Sequence, residues 1–226
     1  HHLIDAIEPS AEMTAAEYSK LAIDTASEIR ARGKLPVFVG GSMFYLAAAL
    51  DYFDFAPTDK KIRDQLESQA EVVGNLEMHN QLARLDPESG KKIHSNNVRK
   101  VIRALEVIQI TGLPFVSTLP DPEYLVPTLT IGIDVDRDVL KPRIADRVAG
   151  MWSQGLIDEA ERLLEGNAPL SKTALAAIGY QQAFQQISGE LDEAAAIQDT
   201  IRLTNRYARR QMSWFKRDRR THWLPD

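Results

Sequence analysis

The run Leu35 to Val39 (LPVFV), closed by Gly40 and Gly41, constrains the fold more than any other stretch of this chain. A short, almost continuous apolar run between turn residues reads as a strand buried on both faces, as in parallel sheets. The residues on either side read as helices. Thr14 and Glu17 have the spacing of a capping box, and the helix they open is expected to run to Arg32, with Gly33 as its stop. Met43 to Leu50 reads as the helix after the strand. Helix, buried strand, glycine turn and helix together predict an α/β domain with a parallel sheet.

From Pro57 the pattern changes. The segments DKKIRDQLESQAEVVG and LEMHNQLARLD are charged and amphipathic without strand signals, so residues 57–96 read as a small helical insertion. The core domain is then expected in two parts, 1–56 and 97–226. NVRKVIRALEVIQITG places Val98, Val101, Ile102, Leu105, Ile108 and Ile110 on one helical stripe ended by Gly112. Residues 113–127 are proline-rich and loop-like, TLTIGIDVD reads as a second strand, and two helical stretches follow, over 137–165 and 171–187. The last helix starts near Leu191 with Asp192 as N-cap, and a short THWL strand ends the chain. At 226 residues there is room for one fair-sized domain or a domain carrying an insertion.

Composition narrows the chemistry. With no cysteine, disulfides, thiolate zinc sites and thiol nucleophiles are excluded, which suits the cytoplasm. No apolar run approaches the roughly 18 residues of a membrane span, so no membrane partner is expected. Charge is uneven: Arg202, Arg206, Arg209, Arg210, Lys216, Arg217, Arg219 and Arg220 against Asp218 make +7 in a chain of net charge -5. Such an end favours a polyanion, and a solvated helix end is the plain alternative.

Candidate residues follow from these placements. Ser42, in GGSMFY at the strand's carboxyl end, offers a hydroxyl where open α/β sheets hold ligands, although a Gly-Gly turn is more often plain geometry. The GxxxxGK[ST] phosphate loop is absent. Arg99 and Arg103 share a helix face and could meet an anion, but Glu106 is a better partner for Arg103 on spacing alone. Arg143 and Arg147 form a similar pair beside Asp146. In IGYQQ, Gly179 and Tyr180 interrupt a helical pattern at a cost of about 1 kcal/mol for the glycine, which close packing or a ligand would offset. Trp214 and Phe215 between the basic clusters would suit base stacking or, more often, core anchoring.

In order and spacing, HHLID, LPVFVGGSMFY, TDKKIR, NNVRKVIRALEV, RIADRV, IGYQQ and ARRQMSWFKRD with a terminal HWL resemble the tRNA dimethylallyltransferase family. Each motif is unspecific alone, whereas the collinear series is strongly specific and covers essentially the whole chain. The resemblance implies a P-loop NTPase-like, ATP-binding α/β core with a helical insert. It implies transfer of a dimethylallyl group from dimethylallyl diphosphate to N6 of the adenosine 3′-adjacent to the anticodon. That chemistry needs an anion cradle with Mg2+ for the diphosphate, a base for the N6 proton, and a channel for a flipped-out adenine.

Carried over by motif, Arg147 is implied to hold the diphosphate and Ser42 to stand near the transfer site. Arg63, the segment Arg99, Lys100 and Arg103, the segment from Ala176 through Gly179, Tyr180 and Gln181, and the segment with Arg209, Arg210 and Lys216 are implied to face the tRNA anticodon stem-loop. Asp5 is placed near the active site. Family members often carry basic residues where this chain has Ala176 and Gln181, which weakens RNA contacts expected there. The family's P-loop and general-base aspartate should precede HHLID and neither is present, so Mg2+ is expected to bind through the diphosphate and that missing segment. The expectation is therefore a fragment of the enzyme, monomeric and inactive alone. The rivals are a noncatalytic RNA-binding remnant and an adenylate isopentenyltransferase acting on free nucleotide. The basic end and the insert speak against the latter.

Overall fold

The structure, a computed structural model, describes residues 1–115, 121–166 and 168–226. In chain order it contains α1 (Ala15–Ala31), α2 (Met43–Leu50), α3 (Lys60–Val73), α4 (Asn75–Leu85), α5 (Pro87–Lys92) and α6 (Val98–Thr111). Then come β1 (Thr130–Asp134), α7 (Arg137–Ser153), α8 (Leu156–Leu164), α9 (Lys172–Leu175), α10 (Tyr180–Ile187), α11 (Glu193–Phe215) and β2 (Thr221–Pro225). The chain divides into a larger unit, His1–Tyr52 with Pro122–Asp226, and a smaller one, Phe53–Asp121. The smaller unit includes α6, which the sequence assigns to the second part of the core.

The α/β parallel sheet expected from LPVFV is corrected by the structure, and with it the P-loop NTPase-like, ATP-binding core that the resemblance implies. Among the described residues there are eleven helices and one sheet of two strands. LPVFV forms no strand, and Leu35, Val37 and Val39 are 83%, 73% and 93% exposed. Apolarity alone does not make a strand; its backbone groups need a paired neighbour, and none of the described strands pairs with this run. The two strands that do form, β1 and β2, are parallel, with Thr130 opposite Thr221 and Asp134 opposite Pro225. The helices α7 to α11 make the long crossover that a parallel pair requires.

Local signals placed most of the helices in the larger unit. Thr14 Oγ1 accepts from Glu17 N at 3.2 Å while Glu17 Oε2 accepts from Thr14 N at 2.7 Å, which satisfies two free donors at the start of α1. Asp192 caps α11 by accepting from Ala195 N at 2.8 Å. Two expected helical stretches are each broken at a glycine in the left-handed region: Gly155, φ 96°, separates α7 from α8, and Gly179, φ 98°, opens α10. Folding back at these points lets Ile144, Val148 and Trp152 of α7 pack with Leu156, Ala160, Ala183 and Ala196 of the helices that follow.

The smaller unit has its own core. Leu66 and Ala70 of α3, Met78 and Leu82 of α4, and Val101, Ile102, Ala104 and Leu105 of α6 close around Ile93. Leu82 is fully buried. Leu82→Ala is expected to destabilise this unit by about 2–5 kcal/mol through lost burial plus the cavity left behind, read as a lower urea midpoint of its helical signal.

Candidate functional site

In the larger unit, the Gly40–Ser42 turn is held by α11. Gln211 Nε2 donates to the Gly41 carbonyl at 2.8 Å, and the Tyr207 hydroxyl reaches the same oxygen at 3.5 Å. A Cβ on residue 41 would lie 2.0 Å from Gln211 Nε2, so a side chain there would displace the Gln211 amide from the Gly41 carbonyl. Ser42 is the N-cap residue of α2, but its side chain makes no capping bond and is exposed. Its hydroxyl is thus available to an oxygen-rich ligand at the start of α2. One turn on, the Tyr45 hydroxyl donates to Met13 O at 2.5 Å, and the Tyr45 ring meets the edge of Tyr18 at 5.2 Å. Tyr18 and Met13 line a concavity of about 280 Å³ with Leu3, Asp5 and Ile7. Asp5 and Leu3 there adopt φ of 52° and 59°, strained for residues with a side chain.

Arg147 lies on α7, exposed and without a hydrogen-bond or ion-pair partner among the described residues. Asp146 does not neutralise it, because adjacent helical residues point apart. Its helix neighbour Arg143 is held by Asp226 Oδ2 at 2.5 Å. Of the two arginines four apart, Arg147 alone is free to meet an anion.

The smaller unit treats its arginines unequally. Glu106, fully buried, accepts from Arg63 Nη2 at 2.8 Å, Arg103 Nη1 at 2.8 Å, Thr58 Oγ1 at 2.7 Å and Asp59 N at 3.0 Å. Burial pushes this carboxyl up, but the bonds from Thr58, Arg63, Arg103 and the Asp59 amide outweigh it and hold its pKa down at about 2. Arg103 also donates to the Pro57 and Ala56 carbonyls at 2.9 and 2.6 Å. Arg63 and Arg103 are therefore anchored, as spacing favoured for Arg103. Arg99 is exposed and without a partner among the described residues, and Lys100 is half-buried.

Gly179 is buried at the start of α10, its N–H donating to Gln182 Oε1 at 3.0 Å, and Gln182 Nε2 donates to Asp199 Oδ2 of α11 at 3.1 Å. Its φ of 98° is the backbone conformation that favours glycine, and a Cβ would in addition come within 3.2 Å of Met151 Cε. Gly179→Ala is expected to cost about 1–3 kcal/mol from backbone strain, seen as an earlier thermal transition of the larger unit. The Tyr180 hydroxyl donates to Glu159 Oε1 at 2.6 Å, and that bond, with burial second, raises its pKa to about 12. Tyr180 thus stays a neutral donor through the physiological range. Gln181 is exposed.

On α11 and beyond, the basic end is less basic than its count. Arg202 pairs with Asp199, Lys216 with Asp134 at 3.2 Å, and Arg220 with Asp51 and Asp218, each at 2.6 Å. Arg220 also lies 3.7 Å over the Tyr124 ring. Arg209 is exposed without a partner among the described residues, and Arg210 is exposed beside the Tyr207 ring at 5.6 Å. Trp214 and Phe215 are half-buried. Sequence reasoning missed Gln211 and Tyr207 because their bonds to Gly41 span more than 160 residues; the glycine pair was the only local hint.

A model of the IPP transferase family matches residues 1–218. The chain belongs to the IPP transferase family. It is 45% identical over 225 residues to the tRNA dimethylallyltransferase of Thermobifida fusca, covering 100% of this chain and 70% of that protein. It is 44% identical over 226 residues to that of Streptomyces coelicolor, covering 99% and 72%. Among solved structures, the tRNA isopentenylpyrophosphate transferase of Bacillus halodurans matches with a TM-score of 0.67 and 34% identity, over 100% of this chain and 71% of that one.

In place of the expected P-loop-deficient fragment, these matches show a chain aligned with the family over 99–100% of its length and spanning about 70% of the length of those relatives. Family model and relatives alike align along the chain as an ordinary member of the IPP transferase family, a prenyl-transferring enzyme. No three His, Asp or Glu side chains converge as a metal cage among the described residues. No helix among the described residues is long and apolar enough to cross a membrane.

Proposed function

We propose that this IPP transferase takes its prenyl group from dimethylallyl diphosphate and delivers it to N6 of the adenosine 3′-adjacent to the anticodon. That the chain modifies tRNA by dimethylallyl transfer follows from its family. The finer reading rests on one observation: the arginines at motif positions divide into two sets. Arg63 and Arg103 are consumed by Glu106, whereas Arg99, Arg147 and Arg209 are exposed and unpaired among the described residues. Unpaired guanidiniums are what a diphosphate and an RNA backbone require.

In this scheme Arg147 neutralises the departing diphosphate, which lowers the barrier to breaking the bond between the prenyl carbon and oxygen as N6 bonds that carbon and gives up its proton to water or the released diphosphate. The Ser42 hydroxyl stands at the transfer site and orients a reacting oxygen or amine. Arg99, Lys100, Gly179, Tyr180, Gln181, Arg209 and Arg210 meet the anticodon arm, with Tyr180 donating or stacking and the arginines on phosphates. Arg63, Arg103 and Lys216 support that surface by shaping their own segments. Magnesium bound with the diphosphate would help neutralise its charge as it leaves. The same scheme puts the enzyme in the cytoplasm with its tRNA.

Labelled dimethylallyl diphosphate, offered with an unmodified anticodon stem-loop or with AMP, tests the scheme. Label is expected on the adenosine beside the anticodon and to be lost as salt rises. Label on AMP with the stem-loop untouched would overturn it.

A further inference from the structure

We infer that Gln211 is a positioning residue that couples RNA engagement on α11 to the geometry of the Ser42 turn. The inference rests on the proposed function above, and its physical basis is a short chain of contacts within the larger unit. Gln211 and Tyr207 are four apart, so both project from one face of α11. Both reach the Gly41 carbonyl, at 2.8 and 3.5 Å. Gly41 lacks the Cβ that would collide with Gln211 at 2.0 Å. Ser42 makes no capping bond of its own. Anchoring of the Gly41 carbonyl thus comes from α11 and not from the turn itself.

The same helix presents Arg209 and Arg210 to solvent, directly before Gln211, and Arg210 lies against the Tyr207 ring at 5.6 Å. A phosphate held by Arg210 acts on the pair of side chains that grips Gly41. RNA docking on α11 therefore sets where Ser42 stands, and loss of the Gln211 donor leaves RNA binding intact while the transfer geometry loosens. Geometric errors of this kind are costly, since displacements near 1 Å lower rates by about 100-fold.

The test compares wild type with Gln211→Ala and Gln211→Glu; the second keeps the side-chain length but removes the amide donor. Single-turnover transfer from dimethylallyl diphosphate to the unmodified stem-loop is measured at saturation, alongside stem-loop Kd and amide exchange over residues 40–46. Both variants are expected to lose about 10- to 100-fold in rate, with Kd within about 3-fold and an unchanged melting temperature. Stem-loop is expected to slow exchange over 40–46 in wild type and not in the variants. Gly41→Ala is expected to damage wild type but to add little to Gln211→Ala, because the colliding amide is already gone. A raised Kd at unchanged rate would make Gln211 an RNA contact and overturn the inference, as would full activity or wild-type exchange protection in both variants. If wild type ignores the stem-loop and modifies AMP, the proposed function falls. The coupling to RNA falls with it, while faster basal exchange over 40–46 in Gln211→Ala would still show Gln211 holding the turn and unchanged exchange would remove that role as well.

Discussion

Glu106→Ala is expected to destabilise the smaller unit by about 3–5 kcal/mol, the cost of leaving buried partners uncompensated when one member of an ion-paired cluster is removed. Two guanidiniums, the Thr58 hydroxyl and the Asp59 amide all converge on that carboxylate, so its loss strands four donors at once. The three tryptophans, Trp152, Trp214 and Trp223, all lie in the larger unit. Indole fluorescence therefore follows that unit while far-UV circular dichroism follows both. The variant should lower the helical transition and leave the fluorescence transition in place; coincident shifts in both would show that Glu106 is not local to its unit. The acid profile gives an independent check. A carboxyl held at about 2, against an ordinary value of 4.5, contributes stability fully above pH 4.5 and loses it as pH falls toward 2. That shift corresponds to about 3 kcal/mol. Glu106→Gln, which cannot ionise, should flatten this part of the profile.

What the sequence revealed and what it hid divide by range. The capping box of Thr14 and Glu17, the Asp192 cap, the bounds of α2 and the Arg103–Glu106 pair each lie within a turn of helix, where residue spacing fixes geometry. LPVFV misled because a strand is defined by its neighbour and an apolar pentapeptide says nothing of one. Gly155 and Gly179 were visible as glycines, but a single glycine costs too little to separate a tolerated residue from a chain reversal. The basic end was legible as a charge count and illegible as a surface. Two of its cations are neutralised by Asp134 and Asp51, which lie 82 and 169 positions away. The same holds at the site, where Ser42 was found from its turn but the side chain that holds the turn came from 170 positions downstream.

Arg147→Ala is expected to lower kcat/KM for dimethylallyl diphosphate by about 100- to 1,000-fold, the usual loss when one preorganised group facing a developing charge is removed. The side chain is exposed and touches no partner among the described residues, so its removal should leave the melting temperature within about 0.5 kcal/mol equivalent. A large kinetic effect without a stability effect is the signature of a group kept for a ligand. Arg147→Lys should recover only part of the loss, because an ammonium restores the charge but not the two parallel bonds a guanidinium gives to phosphate oxygens. Arg143, four residues earlier on α7 and already bound to Asp226, supplies the internal comparison. Its alanine variant should change kcat/KM by no more than a few-fold. Stem-loop KM should stay flat in both variants, since the diphosphate and the anticodon arm are separate demands on separate arginines. Equal losses at 143 and 147 would mean that α7 contributes general positive potential, and would remove Arg147 from the diphosphate site.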